Sequence, residues 1–221
     1  MRRDAVVIDI ETKSDPRVCL DTEWLTELHE GIEAPSNYKD PLEIAAYKDE
    51  RFRELRAKFA LSAATGRIVA IGWALLDSAA APIVVAAAQP DLEGEMAMLE
   101  SFVIALPWTA KPVLAGHCIR DFDLPFITAR AAICEVELPP WWPHPRDYRN
   151  VIDTVDVMGR GHLAGWLRAF GLPPKTGKGS DVETMNPEEI LNYCRNDVHV
   201  ERLLLRRLAE SNAFPALRIT T

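Results

Sequence analysis

The four cysteines of the chain, at positions 19, 118, 134 and 194, form no Cys-x-x-Cys pair. That spacing excludes the usual structural zinc motif and points to a reducing compartment, the cytoplasm. A long hydrophobic run is also missing. The most apolar stretch, residues 68–88, is interrupted by Asp77, Ser78 and Pro82 and suits two strands joined by a turn, so no membrane partner is expected. The opening Met-Arg-Arg-Asp leads straight into a strand with no signal-peptide pattern, and no internal repeat or low-complexity tract follows. Basic residues are outnumbered, 25 against 33 acids, for a net charge of -8. A nucleic-acid partner is normally held by Lys and Arg. Acids that load divalent cations are locally neutralised by them, however, so the formal charge overstates what a polyanion would meet.

The rest of the composition is that of a soluble globular protein, 48% hydrophobic and 26% charged. A length of 221 residues supports one substantial core, and the expectation is a single domain, 1–221. Residues 13–61 differ from the remainder. They are charge-rich and predict two helices, 22–30 and 41–60, separated by Ala34-Pro35-Ser36-Asn37. Trp24, Leu25, Leu28, Ile44, Tyr47, Phe52, Leu55 and Phe59 follow helical spacing, so one face of this insertion is expected to pack on the core. Strands are predicted at 66–76 and 82–88. A helix capped by Asp91 should follow, with Met96, Leu99, Phe102, Val103 and Leu106 inward. A fourth strand at 112–116, a helix at 123–133, a short strand at 151–154 and helical segments at 155–158 and 162–170 continue the alternation. The tract 138–148, with Pro-Pro-Trp-Trp-Pro-His-Pro, cannot be a regular helix or inner strand. Residues 171–179, with two prolines and three glycines, predict a mobile loop. Asn186, Pro187 and Glu189 form the clearest helix start, as N-cap, first helical residue and capping-box acid of a helix running to about residue 209.

Chemistry enters with Val6-Val-Ile-Asp-Ile-Glu-Thr12. Residues two apart on a strand share a face, so Asp9 and Glu11 would stand side by side in an apolar setting. Two such charges oppose folding unless a cation lies between them. The plainer alternative is a short strand ending in a polar turn at Glu11 and Thr12. Tyr193 and Asp197, four apart, stack on one helical face with Ile190, Val200 and Leu204, which places an aspartate in a core stripe. An ion pair with Arg195 or another neighbour is the simpler explanation for Asp197 taken alone. Between these lies Gly116-His-Cys-Ile-Arg-Asp-Phe-Asp-Leu-Pro-Phe126, a strand end turning into a helix, with Asp121 and Asp123 as candidates. Either could simply be the helix cap.

Three strings together, Asp9-x-Glu11-Thr12, Phe122-Asp123-Leu-Pro-Phe126 and Tyr193-x-x-x-Asp197, resemble the exonuclease motifs of the DEDD superfamily, the proofreading exonucleases with a ribonuclease-H-like fold. Gly66-Arg-Ile-Val-Ala-Ile-Gly72, Lys178-Gly-Ser-Asp-Val182 and Ala34-Pro-Ser-Asn-Tyr-Lys-Asp-Pro41 further resemble stand-alone family-B-polymerase-like exonucleases of phages and prophages. Tyrosine four before the last aspartate marks the tyrosine subgroup. The histidine subgroup would need His where this chain has Asn192.

The resemblance implies an α/β, ribonuclease-H-like domain with a mixed sheet of about five strands. It implies a 3′-to-5′ exonuclease in which Asp9, Glu11, Asp123 and Asp197 hold two Mg²⁺ or Mn²⁺ ions and Tyr193 orients the attacking water. Asp123 is preferred to Asp121 because the family pattern is Phe-Asp followed by an apolar helix. Hard oxygen ligands suit these metals. Thr12, His117, Cys118, Phe122 and Lys178 are the candidate nucleic-acid contacts. Single-stranded DNA is favoured over RNA as the partner, although carboxylates do not distinguish the two. No polymerase domain fits in the remaining length, so any proofreading would act in trans with a polymerase or a replication or repair protein. One departure stands out: relatives generally have Asn where this chain has Cys118, a poor hydrogen-bond donor. A weakly catalytic module binding nucleic-acid ends is the rival that Cys118 favours, and a nucleophilic Cys118 beside His117 is the other alternative. Lys175 and Lys178 could meet phosphate or be solvated, Trp141 and Trp142 could stack on a base or pack, and Asp153 and Asp156 are expected to serve as caps or supports.

Overall fold

The computed structural model describes residues 5–106 and 111–211. Its elements in chain order are β1 (Ala5–Ser14), α1 (Pro16–Cys19), α2 (Thr22–Glu30), α3 (Pro41–Arg56), β2 (Gly66–Leu75), β3 (Ile83–Ala86), α4 (Leu92–Ala105), β4 (Val113–Gly116), α5 (Asp123–Ile133), β5 (Val151–Asp153), α6 (Thr154–Met158), α7 (Leu163–Ala169) and α8 (Pro187–Glu210). The five strands form one mixed sheet in the order β3-β2-β1-β4-β5. β4 is parallel to β1 and to β5, and β3 is antiparallel to β2. This is an α/β architecture compatible with the ribonuclease-H-like fold.

The chain divides into two compact units, one of residues 1–11 with 68–221 and one of residues 12–67. Within the larger unit, strand alternation sets which helix covers which face. Trp73 of β2 meets Phe102 of α4 with ring centroids 5.4 Å apart. Its neighbour Gly72 looks the other way, where an added Cβ would stand 2.7 Å from Val198 and 2.8 Å from the Cys194 sulfur of α8. Glycine at 72 therefore lets α8 lie close against the sheet. Val7 and Ala74 pack with Val198, Leu205 and Ala209, so Val7, Asp9 and Glu11 of β1 share the face that α8 covers. On its other side α8 packs against α7 through Leu163, Leu167, Val200, Leu204 and Leu208. That apolar contact on two sides is what a 24-residue helix with a strong cap needs to stay in place. The cap is as expected, with Asn186 Oδ1 accepting from Glu189 N at 3.0 Å and Glu189 Oε2 accepting from Asn186 N at 2.8 Å.

Several expectations need correction. α4 begins at its Asp91 cap, but Met96 is exposed and its inward place is taken by Met98. Glu95 is also fully buried there and pairs with Arg130 of α5. In the smaller unit α3 stops at Arg56 and a single 3-10 turn, Phe59–Leu61, follows. No residue of α2 or α3 is fully buried, while Phe59, the last of the expected stripe, is buried in the 3-10 turn. Within the smaller unit their apolar residues meet one another and their own connections. The His29 and Phe52 rings lie 5.2 Å apart, Tyr38 and Tyr47 5.6 Å apart, and Trp24 lies 5.7 Å from Phe59. Helical spacing records that a face is covered without saying by what.

Candidate active site

β1 is longer than its neighbour β4. The parallel ladder pairs Ala5 with Val113, Val6 with Leu114 and Val7 with Ala115, and β4 then ends at Gly116. Beyond Val7 the β1 backbone therefore runs on at the carboxyl edge of the sheet, where α/β folds open a crevice for ligands. Glu11 and Thr12 do not begin a turn, since the strand continues to Ser14. Asp9 and Glu11 project from this overhang toward α8. The Ile10 N–H, left without a strand partner on the β4 side, donates to Asp123 Oδ1 at 3.0 Å. That bond draws the first residue of α5 to the overhang. Asp123 is buried and Asp121 is exposed, so the burial pattern separates the two aspartates in the same way as the motif did.

α8 contributes from above. Tyr193, Asp197 and Glu201 recur every four residues on one face, and all three are at most 3% exposed. Ligand atoms of Asp9, Glu11 and Cys194 lie within 4.8 Å of one another. Asp123 and Asp197 are close enough to add to the repulsion on Asp9. Burial is the main cause of the shifts that result, with neighbouring carboxylates reinforcing it. Asp9 and Glu201 are pushed well above the usual carboxylate range, Glu11 up to about 8 and Asp123 up to about 7, and Asp197 rises as well. Asp9 Oδ2, Asp197 Oδ1 and Glu201 Oε2 are buried with no hydrogen-bond partner. Buried acceptors are seldom left unpaired. Three of them around one crevice fit hard divalent cations, and the donor set is mainly carboxylate oxygen. Cys194 is less suited. Burial raises its thiol well above the ordinary value, and the thiol approaches the Asp9 carbonyl at 3.9 Å as a neutral donor.

One cation is already present. Lys175 Nζ lies 2.6 Å from Asp197 Oδ2 and 5.4 Å from the centre of the Tyr193 ring. Asp197 is thus paired by a lysine 22 residues upstream and not by Arg195, which donates to Asn192 Oδ1 instead. Lys175 is not solvated, its side chain being 20% exposed. The Tyr193 hydroxyl makes no hydrogen bond of normal geometry, although burial and the Asp197 charge both push its pKa up.

The remaining candidates are placed as follows. Thr12 is buried and belongs to the smaller unit. Phe122 precedes α5 with its ring 5.4 Å from Phe126. Lys178 is exposed, its backbone N–H donating to Asp181 Oδ2 at 3.1 Å. His117 uses both ring nitrogens on protein partners, at 2.7 Å with Thr154 Oγ1 and 2.9 Å with the Gly161 carbonyl. It is therefore unavailable as a base for Cys118, whose thiol is pushed up to about 11 by burial. Cys118 has a φ of 63°, the left-handed region that Asn tolerates better than most residues. The backbone thus supplies a reason for the Asn usual at this position in the family it resembles. Asp153 supports the turn by accepting from the N–H groups of Cys118 at 2.9 Å and Arg120 at 3.1 Å, and it caps α6 through Val155 N at 2.9 Å. Trp141 is buried, and Trp142 donates to Thr128 Oγ1 at 3.0 Å while its ring lies 6.2 Å from Phe102. Both tryptophans serve packing. Glu201 escaped the sequence reading, although its spacing of four beyond Asp197 was available as a signal.

The charge arrangement sets a pH dependence. Carboxylates that ordinarily titrate at 3.8 and 4.5 hold their protons to about 7 and 8 here, so between those limits the native state binds more protons than the unfolded chain. Stability then falls as pH rises. Lys175, raised above its ordinary value, is protonated in both states across that window and leaves the sign unchanged. Thermal melts in chelator from pH 5 to 8 should show a declining Tm, and Mn²⁺ should raise Tm most at the alkaline end. A Tm in chelator that is flat or rises with pH would contradict the clustered-acid account.

No family model matches the chain, and no curated protein matches it. Among solved structures it is similar to that of the family B DNA polymerase from the hyperthermophilic archaeon Pyrobaculum calidifontis, with a TM-score of 0.53 and 14% identity. The match covers 94% of this chain and 25% of the polymerase. The chain therefore spans about a quarter of that protein's length, and at this identity the likeness speaks for the fold.

Proposed function

We propose that this chain is a metal-dependent 3′-to-5′ exonuclease that hydrolyses single-stranded DNA or unpaired 3′ ends to nucleoside monophosphates. The observation that carries the proposal is the meeting of Asp9, Glu11, Asp123 and Asp197, from three distant segments, with buried acceptors left unpaired. These four residues would hold two Mg²⁺ or Mn²⁺ ions. Such a pair, when bound, activates water and stabilises the leaving 3′ oxygen. Tyr193 brings an unengaged hydroxyl to the same face of α8 and would orient the water. Lys175, whose ammonium lies 2.6 Å from Asp197 Oδ2, would meet the phosphate of the substrate when that carboxylate serves as a metal ligand. The Asp123 bond to Ile10 keeps α5 and β1 in register so that the carboxylates stay together.

The whole chain is read as a single exonuclease domain, residues 13–61 being a largely helical insertion, acting in the cytoplasm alone or beside a polymerase or repair protein. A binding module without turnover is the second reading, favoured by Cys118, whose left-handed backbone and neutral thiol replace the usual amide. The test is digestion of end-labelled single-stranded DNA, single-stranded RNA and blunt duplex, each with and without Mn²⁺. Stepwise shortening of the DNA strand from its 3′ end, dependent on metal and slower on blunt duplex, is the expected result. Faster loss of RNA would turn the assignment to an exoribonuclease, and binding without shortening would turn it to the module.

A further inference from the structure

The proposed chemistry makes no use of a cleft at the start of α5. Among the described residues, Arg120, Asp121, His144, Arg146, Tyr148 and Asp153 border an opening of about 730 Å³ between the start of α5 and the 138–148 loop. Its most unusual member is Tyr148, which is 70% exposed. A tyrosine that open gains little from burial, yet its ring is held from beneath. The Arg120 guanidinium lies 4.2 Å from the ring centre. Arg120 is itself fastened, through Nε to Asp156 at 2.9 Å and through its other nitrogens to the carbonyls of Pro145 and Val151. One face of Tyr148 therefore rests on a fixed cationic plane, and the other faces solvent. The cleft adjoins the carboxylate site. Its floor residue Asp153 accepts from the backbone of Cys118 and Arg120 and raises the proton affinity of Asp123. Its charges are divided, with Arg146 on the loop side, Asp121 on the helix side and Arg120 paired with Asp156 between them.

From this arrangement we propose that the cleft is a nucleobase subsite, in which an unpaired base of the substrate strand stacks on the free face of Tyr148 and the adjoining phosphate lies toward Arg146. A flat aromatic plane suits every base, because each has a π face. The acid on the opposite side fits the amino edges of bases and repels phosphate, which leaves the loop side for the backbone. The inference rests on the exonuclease reading for the identity of the strand, and it assigns to Tyr148 the stacking role that Trp141 and Trp142, packed as they are, cannot fill.

The test uses a single-stranded oligonucleotide carrying one 2-aminopurine, moved position by position from the 3′ end, with Ca²⁺ filling the hard-oxygen site. Stacking should quench the fluorophore strongly at one position. Tyr148→Ala should abolish that quenching and weaken binding about tenfold, while Tyr148→Trp restores both. Arg146→Ala should weaken binding and lower its salt dependence by about one phosphate contact. Since Tyr148 is exposed, its variants should melt with the parent. Equal affinity and equal quenching in Tyr148→Ala would overturn the subsite, and if the parent still shortens DNA with Mn²⁺ the exonuclease reading survives that result. A parent that never shortens DNA but loses binding on Tyr148→Ala keeps the subsite and removes the exonuclease. A parent that binds no strand overturns both.

Discussion

Asp9→Ala should remove nearly all hydrolysis, a loss of about a thousandfold or more, and most of the metal-induced rise in Tm, without lowering the Tm of the metal-free protein. If Asp9 holds metal as proposed, the rate loss follows from removing a ligand whose metal would supply several kcal/mol of transition-state stabilisation, at about 1.4 kcal/mol per tenfold. The stability expectation comes from the site itself. Asp9 has a buried oxygen with no partner, and Glu11, Glu201, Asp197 and Asp123 all raise its pKa. Deleting it relieves both the desolvation and the repulsion. Ligand binding to the native state alone stabilises by mass action, so Mn²⁺ should raise the parental Tm and have little effect on the variant. Tyr193→Phe should separate the two effects, keeping the metal response while slowing cleavage, because its hydroxyl is proposed to orient water and not to bind the metal. Paired melts with and without Mn²⁺, beside single-turnover digestion, make the comparison. Parental cleavage by Asp9→Ala would falsify the assignment of the metal site.

The largest effect on stability is expected at Glu95 and Arg130. Glu95 is 0% and Arg130 1% exposed. Arg130 Nε donates to Glu95 Oε1 at 2.9 Å, a second nitrogen reaches Oε2, and Glu95 Oε1 also accepts from Ile68 N at 2.8 Å. Breaking such a pair from one side leaves a buried charge uncompensated, at a cost of about 3–5 kcal/mol. Arg130→Leu and Glu95→Leu should each destabilise by that amount, whereas the double replacement should cost clearly less than the two singles added together, the remaining cost including the buried Ile68 N–H that loses its acceptor. Urea unfolding of the four proteins gives the coupling. Single variants within about 1 kcal/mol of the parent would show that the pair adds little.

Neither half of this ion pair was legible beforehand. Glu95 lies next to Met96, and helical spacing favoured the methionine as the inward residue. The structure turns the helix so that Met98 and Glu95 face in, because Arg130 waits on α5 to neutralise the acid. The same limit explains α2 and α3, whose apolar residues are spaced as for a core and yet remain incompletely buried. It also explains the tryptophans of the 138–148 loop, where composition allowed stacking on a base and packing alike.

What the amino-acid order alone determined is whatever depends on neighbours along one element. Strand alternation was enough to set Asp9 beside Glu11, a spacing of four to set Tyr193 over Asp197, and an Asn-Pro-x-Glu start to begin α8 at Pro187. The tertiary structure decided the rest. It showed that β1 outlasts β4 and frees the Ile10 N–H for Asp123, 113 residues away. It also showed that Lys175 reaches Asp197, that Glu201 joins the acids, and that Tyr148 is left open while Trp141 is buried and Trp142 is held by Thr128 and Phe102. The physical reason is that local periodicity fixes the direction of a side chain, whereas its partner is chosen only when distant elements pack and each buried polar group must find one.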